Sequence, residues 1–144
     1  MAPRIDFYVL DGADDRALLV YACRLIEKAY LRNLTVCVHL ETPAEVETFD
    51  LLLWTFGDRS FVPHERTSAA ETTPHGAPVL VGCGRPAAAD LLVNLASPAP
   101  EFYAGYARVA DFVDAEPARR EAGRRRFAFY RERGHTPETH RVHG

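Results

Sequence analysis

Seven arginines, Arg119, Arg120, Arg124, Arg125, Arg126, Arg131 and Arg133, crowd into one short stretch together with Phe127, Phe129 and Tyr130. Only Glu121 and Glu132 oppose them, so the stretch carries +5 in a 144-residue chain of net charge -3, and the remainder carries -8. The positive charge is therefore a local device. Wound at about 100° per residue, Arg120, Arg124, Phe127 and Arg131 fall within a stripe roughly 60° wide, with Ala118, Ala122 and Phe129 opposite. This predicts a helix that packs its apolar face on a domain and turns three guanidiniums and one ring outward. Glu116-Pro117 starts it and Gly134 stops it. Lys28 is the only lysine in the chain, and the preference for arginine suits planar, bidentate recognition of carboxylate or phosphate, although a GC-rich coding bias favours the same residue. The competing reading is a solvated basic face, against which Phe127 has no reason to sit exposed among arginines.

No other cluster in the chain carries chemistry of comparable weight. There is no GxxxxGK[ST] or GxGxxG, and Gly82-Cys83-Gly84 lacks a third glycine. At the first strand-to-helix junction, LDGADDRA, Asp14 and Asp15 occupy the helix start and repel a pyrophosphate. The three serines, Ser60, Ser68 and Ser97, lie outside any nucleophile elbow. His39 belongs to a strand, His64, His75, His135, His140 and His143 to loops or the tail, and no pair has the i, i+4 spacing of a helical metal site. Cys23, Cys37 and Cys83 are odd in number and widely spaced, the pattern of small apolar residues in a reducing compartment. We therefore expect no catalytic residue, no cofactor and no metal.

The elements that must position the arginine helix follow from periodicity. Arg4 to Leu10 reads as a strand closed by Asp11-Gly12, Ala13 to Arg32 as a helix ended by Asn33, and Leu34 to Leu40 as a strand covered on both faces. Thr42-Pro43 opens a second helix, with Glu45 completing a capping box, that runs to about Phe56. Ser60 to His64 is a short extended piece, and Glu65 to Pro78 the most flexible stretch. Strands resume at Val79 to Gly82, Leu91 to Leu95 and Val109 to Val113, with a short helix around Phe102 to Tyr106. The alternation predicts a single α/β domain over residues 1–134, a mostly parallel sheet of five or six strands with helices on both faces, and a polar, flexible tail over 135–144. At 47% hydrophobic with no long apolar run and no signal-peptide stretch behind Met1-Ala2-Pro3-Arg4, a cytoplasmic protein with no membrane partner is expected.

Three stretches, IDFYVLD at the start, LLWTFGDRSFVPH in the middle and DFVDAEPARREAGRRRFAFYRERG near the end, together resemble the chi subunit of bacterial DNA polymerase III holoenzyme. The resemblance runs from Arg4 to about Gly134. It implies a nucleotide-binding-like fold without a nucleotide site. It also implies a non-catalytic adaptor that joins the clamp loader, through the small psi subunit, to the acidic C-terminal tail of single-stranded DNA-binding protein. Carried onto this chain, the tail site comprises Arg124, Arg120, Phe127, Val113 and Arg131. Phe127 stands where a Tyr is familiar, and Ala128 where some members have a further basic residue. A second site, for psi or for a competing helicase, comprises Trp54, Phe61, Val62 and Pro63, residues that pack equally well into a core. Two other classes stay open: a small nucleotide-dependent enzyme with a degenerate phosphate loop, and direct nucleic-acid binding by the arginine helix, which the -8 elsewhere opposes. No direct DNA binding is expected.

Overall fold

A computed structural model describes residues 3–57, 59–66, 78–82 and 89–142. The chain runs β1 (Arg4–Leu10), α1 (Asp15–Leu31), β2 (Val36–His39), α2 (Pro43–Thr55), β3 (His64–Arg66), β4 (Val79–Gly82), β5 (Leu91–Asn94), a 3₁₀ turn (Tyr103–Gly105), β6 (Arg108–Val113), α3 (Pro117–Glu132) and β7 (Glu138–Val142). The strands form one sheet in the order β3-β4-β2-β5-β6-β1-β7, and every pair is parallel. Parallel strands need crossovers, which place helices on the faces.

Alternation along the strands divides the core. Val36, Val38, Val79, Val81, Val93 and Phe112 pack with Leu18, Ile26, Phe49 and Leu53 of α1 and α2. Ile5, Phe7, Cys37, Leu92, Val109 and Val113 pack on the other face with Tyr103, Tyr106 and Tyr130. The sheet is thus buried on both sides, which explains the nearly continuous apolar runs of β2, β4 and β5.

Helix ends follow the expected chemistry. The Thr42 hydroxyl accepts from the Glu45 amide at 3.2 Å, and the Glu45 carboxylate accepts from the Thr42 amide at 3.1 Å. Asn33 closes α1 in the left-handed region at φ 63°. The β1–α1 junction is occupied from within: Asp14 caps α1 through the Arg16 amide, and Arg119 of α3 donates to the Ala13 carbonyl at 3.0 Å. A nearby cavity of about 270 Å³, at the carboxyl ends of the strands, has Asp15 and Glu45 in its wall. Both acids disfavour a phosphate at these helix starts.

Two expectations change. Seven strands are present among the described residues rather than five or six, one of them β3, where pairing begins at His64 after the short extended piece. The supposed tail is part of the sheet: β7 pairs with β1 from Asp6↔Glu138 to Leu10↔Val142. The flexible stretch expected from Glu65 to Pro78 lies mostly outside the described residues.

Candidate functional site

The arginine helix begins where expected, with the Glu116 carboxylate accepting from the Arg119 amide at 2.8 Å and Pro117 in the first turn. It ends before Gly134, whose φ of +88° suits glycine. Its inward face, however, is Gly123, Arg126 and Tyr130, while Ala118 is exposed. Gly123 permits the contact, since a Cβ there would lie 2.3 Å from Val113 Cγ1. Phe127, expected to face outward, is half-buried and sets its edge on Phe7 with centroids 5.2 Å apart.

The seven arginines therefore do different things. Arg126 is buried: its Nε donates to Asp111 Oδ1 at 2.8 Å, Nη1 to the Ser97 carbonyl at 2.8 Å and Nη2 to the Phe112 carbonyl at 3.0 Å. Burial raises the Asp111 carboxyl above its ordinary range, and the Arg126 guanidinium opposes that rise. Arg119 is held by Asp114 at 2.8 Å. Arg133 lies 3.5 Å over the Phe129 ring. Arg125 meets Glu121 at 3.6 Å on the surface, and Arg131 is exposed away from the groove described next.

Arg120 and Arg124 rim a cavity of about 360 Å³ between α3 and β7. Phe7, Val9, Leu10, Val113 and Phe127 give it apolar walls, Asp11 and Asp114 add two acids, and Thr139 and Arg141 contribute from β7. Arg124 is 66% exposed and has only a loose 3.9 Å pair with Glu121. Among the described residues, Arg120 and Arg141 make no ion pair. The structure thus brings together Arg120, Arg124, Phe127 and Val113, and leaves Arg131 apart. Thr139 and Arg141 escaped the sequence reading; the available signal was alternation in Glu138 to Val142, which puts these two on one side of a strand.

β7 is fastened to the sheet by charge. Asp6 Oδ1 accepts from His140 Nε2 at 2.8 Å, and Arg4 Nη2 meets Glu138 at 3.1 Å. Burial alone would raise the Asp6 carboxyl, but hydrogen bonds and charge from His140, Arg4 and Arg108 bring it below its ordinary value. Asp6, Glu138 and His140 place ligand atoms within 4.8 Å of one another. Arg4 at 3.3 Å and Arg108 at 3.4 Å already sit on Asp6, so the group is a cluster of ion pairs.

The second set lies at the opposite edge. Trp54 on α2 is 41% exposed and Phe61 65% exposed, with ring centroids 5.5 Å apart, and Pro63 is half-buried beside them. Val62 is a correction: it is fully buried in the core and offers no surface to a partner. Leu51, also exposed, lies one helical turn before Trp54 and was not anticipated. The two edges are six inter-strand spacings apart, roughly 29 Å.

Comparison with known proteins now identifies the family. The family described as DNA polymerase III chi subunit, HolC, matches residues 2–138. The chain is 43% identical to DNA polymerase III subunit chi of Pseudomonas aeruginosa over 141 residues, covering 96% of each. It is 27% identical to the subunit of the same name from Haemophilus influenzae over 99% of each chain, and 27% identical to that of Escherichia coli over 89% and 90%. No described helix is long and apolar enough to cross a membrane. The chain belongs to the DNA polymerase III chi subunit family.

Proposed function

We propose that the protein is a non-catalytic adaptor that grips the acidic C-terminal tail of single-stranded DNA-binding protein in the α3–β7 groove and holds the psi subunit of the clamp loader on the Trp54–Phe61 surface. The observation that carries this reading is the groove itself: Arg120, Arg124 and Arg141 stand around an apolar pocket. Such a pocket suits a peptide whose last residue offers both a ring and a free carboxylate. The ring packs against Phe127 and Val113, Arg124 receives the terminal carboxylate, and Arg120 and Arg141 receive acidic side chains further up the tail. Binding of a short peptide at about micromolar strength, roughly -8 kcal/mol, is expected, weakening as salt screens the charges.

The separation of the two edges supports the bridging role, because partners held roughly 29 Å apart do not compete for surface. A helicase sharing the Trp54–Phe61 surface is the alternative occupant of that edge. Direct binding of nucleic acid is disfavoured by the limited reach of the positive patch: the chain outside the arginine stretch carries -8, which repels a long phosphate backbone beyond the groove.

The test is titration of a fluorescent acidic peptide ending in Phe. We expect Arg124→Ala to weaken it at least tenfold, since a hydrogen bond to a charged group contributes about 1.5–3 kcal/mol, with an unchanged melting temperature. Equal binding by the variant, or equal binding by a peptide with an amidated C-terminus, refutes the site.

A further inference from the structure

His64 opens β3 in the stretch that carries the second site, yet neither site uses it. Its side chain is fully enclosed, and both ring nitrogens face oxygen. Nδ1 lies 2.7 Å from the Val62 carbonyl. Nε2 lies 3.1 Å from Asp50 Oδ1 and 3.2 Å from the Asp50 carbonyl. A neutral imidazole has one N–H and one lone pair. Either tautomer therefore aims its lone pair at a carbonyl or at a carboxylate, whereas the imidazolium donates at both positions.

Asp50 supplies a counter-charge from α2 that it shares with Arg66, whose Nε lies 3.5 Å from its other oxygen, and β4 sets the apolar Val79 beside His64. The Trp54 ring lies 4.0 Å away, centroid to centroid, close enough for its face to attract a cation.

We infer that His64 is held as an imidazolium clasp that ties the Phe61–Pro63 segment to α2, so that the Trp54–Phe61 surface is assembled in the protonated state and loosens when the proton leaves. The acceptors come from two places, Val62 in the segment and Asp50 on the helix, so the doubly protonated ring spans, through its two N–H groups, the joint on which the exposed rings sit. Capture at this surface is then strongest on the acid side of the His64 titration and weaker on the alkaline side. That consequence rests on the proposed psi contact, while the charge state rests on the hydrogen-bond geometry.

The experiment uses the full chain labelled with ¹⁵N-histidine, titrated from about pH 5 to about pH 9 so as to cover the range in which imidazoles change charge. Trp54 fluorescence and capture of the psi subunit of the same holoenzyme are read in parallel. Trp54 is the only tryptophan, so the optical signal is specific. We expect hydrogens on both His64 ring nitrogens on the acid side, a fluorescence rise as the quenching cation is lost, and a roughly tenfold fall in psi affinity across the same step, the loss expected for a charge-assisted hydrogen bond. His64→Gln removes the step from fluorescence and capture. Asp50→Asn, which keeps the shape and removes the counter-charge, moves it to lower pH. A ring carrying one hydrogen throughout, or capture indifferent to the step, overturns the clasp. A ring that titrates as expected in a protein that captures no psi at any pH overturns the partner reading and, with it, proton control of capture.

Discussion

The two edges of this sheet are built by opposite means. At the β7 edge the groove is concave and charged, and its geometry depends on what lies beneath it: Gly123 lets α3 approach Val113, and the buried Arg126–Asp111 pair anchors the helix to β6. At the β3 edge the surface is aromatic, with Trp54 and Phe61 exposed on α2 and on the segment before His64. One edge spends buried polar groups to position exposed charges; the other uses a backbone joint to present exposed rings. If both proposed sites are real, a fold with acids at its helix starts offers two separate surfaces, of which the charged one should be sensitive to salt and the aromatic one much less so.

The largest test of this contrast is Arg126→Ala. It leaves Asp111 buried without its counter-charge, so a destabilisation of about 3–5 kcal/mol is expected in urea denaturation. Converting the pair together to Asp111→Leu with Arg126→Met should recover only the part due to the unpaired charge, because the Phe112 amide, the Tyr130 hydroxyl and the Ser97 and Phe112 carbonyls still lose their partners. If Arg126→Ala is as stable as wild type, the β7 edge is not organised from below.

Next in size, Phe61→Ala should weaken psi capture by about 2 kcal/mol or more, the scale of an exposed aromatic anchor. Tail-peptide affinity should be unchanged. Loss at both sites means that the substitution unfolds the domain, and loss at neither moves the anchor to Leu51 or Trp54.

These differences also explain what could be read from the residues alone. Helices α1, α2 and α3 were legible because caps and stops are local: Asp14, Thr42 with Glu45, Glu116-Pro117, Asn33 and Gly134 each act within a turn. β2, β4 and β5 were legible because a strand covered on both faces must be apolar. β7 was not, since an edge strand fastened by Arg4, Asp6 and His140 looks like a polar tail until its partner is known. In the groove, Arg120 and Arg124 were legible from spacing. Arg126 was not, because charge marks a residue as exposed, and only the distant Asp111 reverses that expectation. Val62 was misplaced for the converse reason: an apolar residue between two surface residues gives no sign of which way it turns.

A third prediction concerns the fastening of β7. Asp6 is held below its ordinary carboxyl value, so its ion pairs contribute stability that is fully present above the unfolded value of 3.8 and is lost as pH falls through the lower folded value. Between neutrality and about pH 5 the tail-peptide affinity should therefore show no Asp6-dependent change. At neutral pH Asp6→Asn should lower stability by about 1.5–3 kcal/mol, the contribution of a hydrogen bond to a charged group, and increase amide exchange in Glu138–Val142 ahead of β4 and β5. Uniform exchange across the sheet means that β7 is not held by this cluster.

The smallest effect, and the one that most directly separates the edges, is expected of Arg141→Ala. Arg141 reaches the groove from β7, has no ion pair among the described residues, and is exposed, so its charge acts through solvent and should contribute about 0.5–1 kcal/mol to tail binding, a two- to fivefold change. Magnitude alone does not distinguish it from a general loss of positive charge, but the salt dependence does. Affinity measured across a salt series should fall less steeply in Arg141→Ala than in wild type, because one fewer screened contact is lost, whereas Arg131→Ala, which removes the same charge outside the groove, should leave the slope nearer to wild type. Psi capture should be nearly flat in salt for all three proteins, since its anchors are rings. Identical slopes for Arg141→Ala and Arg131→Ala mean that the tail senses the arginine helix as a diffuse field, and that β7 is a support for the groove rather than one of its walls.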